Sequence, residues 1–328
     1  GRSEPKENLM VVTTSAPPHA IVLVHSHEYA KWVFSETHPT QGRRFDIAAR
    51  RLEELANEQG VNLTKVESEY LPSVERLKLA HTAEYIDQVL ELGVCDEWVG
   101  ERPDLGELAQ RMVGGTILAL DALLRGESLI AVNFAGAKHH AKRDHSSGFC
   151  VFADFAIAAR YALDPNRRIL ANRGIAVQRI AILDIDAHHG DGTEELLAHR
   201  ESVLTFSIHD SSIFPGTGDH DEPEWQKYNR ALPAGSGDAQ LHRAVQDFVG
   251  IAKNFEPDLI LIAIGADGLD GDPLSSLRYT IAGMESVIGH VRAAFPNTPM
   301  LFGGAGGYQP DDETPEAWAR MVMAAATT

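Results

Sequence analysis

Short apolar runs alternate along the chain with longer stretches in which apolar residues recur every three or four positions, and from residue 129 onward the alternation is nearly regular. A short apolar run bounded by turn residues predicts a buried strand, whereas the longer spacing predicts a helix with one face inward. On this reading strands cover Ile21 to His25, Leu129 to Asn133, Ile175 to Ile185, Val203 to Ile208, Leu259 to Ile264 and Met300 to Phe302. Helices cover Phe45 to Asn57, Ala83 to Leu92, Leu108 to Leu124, Phe155 to Leu163, Glu194 to His199, Gln240 to Phe255 and Ile281 to Phe295, with a last one beginning at Glu316. Strands that take turns with helices imply an α/β fold whose central, mainly parallel sheet is covered by helices on both faces. The stretches Asp164 to Gly174 and Gly216 to Trp225 read as exposed loops.

The chain has 328 residues, enough for one large α/β domain or two ordinary ones. It contains no internal repeat, low-complexity stretch or linker, so a single domain over residues 20–328 is expected, preceded by a mobile tail over residues 1–19. With 29 basic and 47 acidic residues, the formal charge of -18 argues against a surface that tracks nucleic-acid phosphates. Cys95 and Cys150 are too few for a disulfide framework, and no apolar run is long enough to cross a bilayer. A cytoplasmic protein with no membrane partner is the expectation.

Chemistry concentrates at the predicted strand ends. In Asp184-Ile-Asp-Ala-His-His-Gly-Asp191, Asp184, Asp186, His188, His189 and Asp191 follow the apolar run Ile180 to Leu183. Strand alternation would send Asp184, Asp186 and His188 to one side as the strand runs out into a loop. Ionisable groups this dense cannot be buried without a compensating charge, which calls for a cation or a proton-shuttling network. Asp267, the first carboxylate after another apolar strand, would complete an Asp, His, Asp set with Asp186 and His188. Three protein ligands and an open fourth place describe a catalytic Zn2+ site, and two oxygens with one nitrogen also suit Fe2+, Co2+ or Mn2+. His139 and His140 follow the strand that ends at Asn133, where adjacent histidines are candidates for acid–base work. Tyr308 ends a glycine-rich turn after the strand at Phe302, from which its hydroxyl could donate to a developing oxyanion. Taken singly, Phe149 and Phe214 read as ordinary core.

Together these segments resemble the histone deacetylase family, the zinc-dependent lysine deacetylases with an arginase-like α/β fold. The matching motifs are His139-His140-Ala141, Ser147-Gly-Phe-Cys150, Asp184-Ile-Asp-Ala-His-His-Gly-Asp-Gly192, Phe214-Pro-Gly-Thr-Gly218, Gly265-Ala-Asp267 with Asp272-Pro-Leu274, and Gly306-Gly-Tyr308. They stand in family order from about Ile21 to the C-terminus. The resemblance implies that Asp186, His188 and Asp267 are the metal ligands and Tyr308 the oxyanion donor. It makes His140, backed by Asp191, the general base, and His139, backed by Asp184, its electrostatic support. It also implies a substrate tunnel walled by Phe149 and Phe214, and a structural K+ or Na+ held by Asp184, Ser207 and the backbone of His188. The implied partner is an acetyl-lysine protein or peptide.

The departures from the family pattern bear on substrate choice. Gly136-Ala137-Lys138 stands where the family usually has Gly-Gly-Leu, Ala153 replaces an Asn, and Gly268 replaces a larger residue. Leu274 occupies the tunnel position where members selective for acetylpolyamines can carry an acidic residue. Arg44, or Arg43 beside it, matches the basic residue of the family's internal channel, and the Asp usual at the tunnel rim has two candidates here, Asp96 and Asp104. The competing readings are an acetylpolyamine or other small-amide hydrolase with the same catalytic set, a two-manganese ureohydrolase, and a non-catalytic binder of acyl-lysine.

Overall fold

The computed structural model describes residues 20–166, 174–198 and 200–328. The expected tail, His199 and most of the loop after Asp164 lie outside that set.

Among the described residues, eight strands form one sheet: β1 (Ile21–His25), β2 (Leu63–Glu67), β3 (Ile130–Asn133), β4 (Ile180–Asp184), β5 (Val203–His209), β6 (Lys227–Ala231), β7 (Leu259–Ala263) and β8 (Met300–Gly303). Their order is β2-β1-β3-β8-β7-β4-β5-β6, and every neighbouring pair is parallel. The inner strands β1, β3, β4, β7 and β8 are buried along their whole length, which is why each appears in the sequence as an uninterrupted apolar run. The expected mainly parallel sheet is therefore present, and wholly parallel in its ladders.

The two edge strands escape the sequence pattern. In β2, Leu-Thr-Lys-Val-Glu, and β6, Lys-Tyr-Asn-Arg-Ala, exposed and half-buried positions dilute the apolar signal with charge. Charged edges also discourage pairing with another chain. The strand read over Ile175 to Ile185 is shorter in fact, because the amides of Gln178 and Arg179 bond to the Asp258 carboxylate rather than to a ladder.

The α-helices among the described residues are α1 (Arg43–Gln59), α2 (Val74–Leu77), α3 (Ala83–Asp87), α4 (Pro103–Leu124), α5 (Asp154–Leu163), α6 (Asp191–Leu197), α7 (Asp238–Phe255), α8 (Ile281–Ala294) and α9 (Glu313–Thr327). Helix α1 stops at Gly60, whose φ of 66° closes the last turn in the left-handed region open to glycine. The predicted Ala83 to Leu92 helix is α3 followed by a π turn over Gln88–Leu92. Helices α1, α9, α8 and α7 pack in succession, as do α4, α5 and α6, and both groups reach the sheet.

The topology decides where chemistry can sit. The chain leaves β3, skips two places to build β4, β5 and β6, and returns to fill the gap with β7 and β8. Ligands of open parallel sheets bind beyond the carboxyl ends of the strands at such a switch. The segments after β3, β4, β7 and β8 are those that carry the candidate residues.

Candidate active site

Each of the four central strands delivers one part of a buried cluster. The segment after β3 brings His139 and His140, that after β4 brings Asp186, His188 and Asp191, that after β7 brings Asp267, and that after β8 brings Tyr308. Potential ligand atoms of Asp186, His188 and Asp267 lie within 4.8 Å of one another, and all three residues are buried. His188 Nδ1 stands 2.8 Å from Asp267 Oδ2 and 3.3 Å from Asp186 Oδ1. The carboxylates are aimed by backbone donors: Gly306 N–H reaches Asp186 Oδ2 at 2.8 Å and Ala187 N–H reaches Asp267 Oδ1 at 2.8 Å. At Gly265 and Gly306 an added Cβ would collide with these carboxylates, so the glycines flanking Asp267 and Tyr308 allow close approach of the backbone.

The electrostatics call for a cation. Burial and the neighbouring Asp186 carboxylate push Asp267 up to about 6. Burial disfavours a charged His188 ring, yet Asp267 and Asp186 outweigh it and hold the pKa at about 11, so a proton on His188 balances the carboxylates. Two buried carboxylates and an imidazole of this spacing fit a divalent ion, which would replace that proton. The donor set of two oxygens and one nitrogen accommodates Zn2+ or another first-row ion.

The histidine pair lies beside this set, with ring centroids 4.0 Å apart. His139 Nδ1 bonds Asp184 Oδ2 at 2.5 Å, and His140 Nδ1 bonds Asp191 Oδ1 at 2.7 Å. A carboxylate accepts, so each Nδ1 carries the hydrogen; Nε2 is the free end of the His140 ring, whereas that of His139 faces Asp186 Oδ2 at 3.7 Å. The pair is split electrostatically. Burial opposes charge on His139, but Asp184 and Asp186 overcome it and raise the pKa to about 9. Burial and the neighbouring His139 lower His140 to about 4, against the pull of Asp191.

Tyr308, His140 and His188 line one cavity of about 380 Å³ together with Glu97, Gly148, Phe149, Ile213, Phe214 and Leu274. Phe149 is half-buried and Phe214 is 49% exposed, so the reading of either ring as ordinary core is corrected: both stand in the cavity wall. Phe149 meets the Tyr308 ring edge-on at 5.9 Å, and Phe214 meets the His140 ring at 5.0 Å.

Other residues support the cavity through partners distant in sequence. Asp272 accepts the Tyr308 N–H at 2.9 Å and the Leu274 N–H at 2.9 Å, tying two wall residues together. Lys142 Nζ lies 3.0 Å from Asp191 Oδ2 and gives the carboxylate behind His140 a second partner. Glu97, which was not among the rim candidates Asp96 and Asp104, accepts the Phe149 N–H at 3.1 Å. His189 turns away from the cavity to Thr217 at 2.7 Å and Glu194 at 2.9 Å, bracing the loop that carries Phe214. Ser207 sits opposite Asp184 in the β4–β5 register, with its Oγ 2.8 Å from His209 Nδ1.

Below the histidines, Arg44, Ala137, Lys138 and Tyr308 enclose a space of about 20 Å³, room for roughly one water. Arg44 donates to Gly307 O at 2.6 Å, while Lys138 places its ammonium 5.5 Å from the Trp32 ring centre and 5.4 Å from that of Phe45. Burial, then the Arg44 guanidinium, lowers Lys138 from 10.5 to about 8. The unfolded chain therefore binds this proton more tightly, and the contribution of Lys138 to stability improves as pH rises from about 8 to 10.5. Below that window the buried charge costs on the order of 3 kcal/mol. Lys138→Met is expected to raise the melting temperature at neutral pH and to lose the gain toward pH 10 that the parent shows. Parallel pH–melting curves for the two proteins would contradict this.

A model of the histone deacetylase domain matches residues 38–325. The acetoin utilization protein AcuC of Bacillus subtilis (strain 168) is 32% identical over 329 aligned residues, spanning 92% of this chain and 81% of the relative. AcuC of Staphylococcus aureus (strain MRSA252) is 26% identical over 92% of this chain and 80% of its own length. Human histone deacetylase 1 is 31% identical over 75% of this chain but only 50% of its own. The match runs through every segment that builds the cluster at the strand ends, and the chain belongs to the histone deacetylase family.

Proposed function

We propose that the protein hydrolyses the amide of an acetylated lysine side chain, using a divalent ion, Zn2+ in the first instance, held by Asp186, His188 and Asp267. The observation that carries this reading is the meeting of that ligand set, the carboxylate-backed His140 and Tyr308 at one cavity flanked by Phe149 and Phe214. An ion held there supplies Lewis acidity, acidifying a water and polarising the acyl carbonyl.

His140, uncharged at neutral pH, takes the proton of the attacking water at Nε2 and returns it to the leaving amine. His139 keeps its proton under the influence of Asp184 and Asp186 and stabilises negative charge as it develops. Tyr308 donates its O–H to the oxyanion; burial and the Asp267 and Asp186 carboxylates push its pKa well above the ordinary phenol value, so that the hydrogen stays in place. Phe149 and Phe214 pack along a methylene stem, and the small space above Arg44 and Lys138 restricts the acyl group to acetyl or a similarly short chain. A monovalent cation beside Asp184 and Ser207 completes the proposal.

A second reading has support from Glu97. This half-buried carboxylate on the cavity wall could receive a second ammonium of an acetylated polyamine as readily as a peptide N–H. Apolar Leu274 on the same wall favours the lysine side chain. Comparing acetate release from an acetyl-lysine peptide and from N-acetylspermidine tests the assignment: kcat/KM at least about tenfold higher for the peptide is expected, a difference of about 1.4 kcal/mol. A preference for the polyamine would transfer the assignment to the second reading.

A further inference from the structure

Among the described residues, two groups of three metal-ligating side chains bring their donor atoms within 4.8 Å of one another. One is the Asp186, His188, Asp267 set. The other is His25, His27 and Asp46, none of which lines the cavity described above. We propose that His25, His27 and Asp46 form a separate binding site for a divalent transition-metal ion.

The geometry has the same form as that of the first set. His25 Nε2 lies 2.6 Å from Asp46 Oδ1, and His27 Nδ1 lies 3.4 Å from the same oxygen. Ligand atoms around a four-coordinate zinc stand about 3.3 Å apart, given metal–nitrogen bonds near 2.0–2.1 Å. The His27 pair is already at that spacing. The His25 pair is compressed to hydrogen-bond length, as His188 and Asp267 are at 2.8 Å, and would open as an ion replaces the shared proton.

The three residues come from elements that the fold holds in place. His25 is the last residue of β1, His27 opens the short 3-10 turn His27–Lys31, and Asp46 lies in the first turn of α1. The imidazoles meet edge to face at 5.5 Å, so both converge on one carboxylate instead of stacking. Lys65, on the neighbouring strand β2, faces Glu53 at 3.6 Å and Glu67 at 4.0 Å, so its charge is opposed. His27 is 72% exposed, which gives an ion a route in and leaves its remaining coordination places to water. Two imidazole nitrogens and one carboxylate suit Zn2+, Co2+, Ni2+ or Cu2+ and disfavour Mg2+ and Ca2+.

An ion there would fasten the end of β1 to the turn of α1 that also carries Arg44, whose guanidinium holds the carbonyl of Gly307 beside Tyr308.

The test is equilibrium dialysis of the metal-free full chain against Co2+, with bound metal measured per chain. The parent should take up two ions, His27→Ala one, Asp186→Ala one, and the double variant none. His27 is at the surface, so its replacement leaves the fold intact, and His27→Ala should release acetate at the parent rate once loaded. Uptake unchanged by His27→Ala, or a parent that binds a single ion lost on Asp186→Ala, would overturn the second site. Uptake unchanged by Asp186→Ala would instead count against the proposed catalytic ion, so the two readings fail separately.

Discussion

His140→Ala should lower kcat/KM for amide hydrolysis by about 10²- to 10⁴-fold, the range expected for loss of a general acid–base group. The loss should be in catalysis and not in folding. Asp191, the carboxylate behind His140, keeps a partner in Lys142 at 3.0 Å, so removing the ring does not leave a buried charge unpaired. His139→Ala differs in this respect: it strips from the buried Asp184 carboxylate its side-chain hydrogen-bond partner, leaving, among the described residues, the hydrogen bond from the Asp186 N–H at 3.0 Å. That variant should lose stability as well as rate. Activity profiles and urea midpoints for the pair separate the two cases; a His140→Ala protein that turns over at more than about a tenth of the parent rate would remove it from the base's role.

Tyr308→Phe is expected to lower kcat by about 10²- to 10³-fold with KM little changed, the pattern for a hydrogen bond made only in the transition state. The ring has other supports. Its backbone N–H is held by Asp272, Phe149 packs edge-on against it, and the Arg44 guanidinium lies 5.7 Å from its centre. None of these needs the hydroxyl. An unchanged kcat, or a rise in KM alone, would show that the phenol serves binding instead of the reaction.

The inner strands were legible in the sequence because burial on both faces demands apolar residues without interruption, as in Ile-Ala-Ile-Leu of β4 and Leu-Ile-Leu-Ile of β7. Edge strands face that demand on fewer sides, and Lys65, Glu67, Lys227 and Arg230 conceal β2 and β6. Helix α4 begins at Pro103, ahead of the expected Leu108: Leu105 already keeps the apolar period, but it is preceded by the exposed Pro103 and Asp104 and the signal there is weak.

The candidate site follows the same logic. Residues that emerge directly from strand ends, such as Asp186, His188 and Asp267, could be read from local pattern because strand direction fixes where they go. Asp272, Lys142 and Glu97 could not, since each acts on a partner distant in sequence: Tyr308, Asp191 and the amide of Phe149. His189 shows the converse. It stands in the densest cluster of the chain, yet its ring is taken up by Thr217 and Glu194. Lys138 was visible as a departure, but its place between Trp32 and Phe45 depends on how β1, β3 and α1 pack.

The proposed amide hydrolysis depends on a divalent ion held by Asp186, His188 and Asp267. Acetate release from an acetyl-lysine peptide, followed on protein stripped of metal and then reloaded with Zn2+, Co2+ or Fe2+, is the decisive measurement. Release should fall to background on stripping and return with ion bound, and Asp186→Ala should neither recover nor retain that ion. Full activity in the stripped protein would contradict the account.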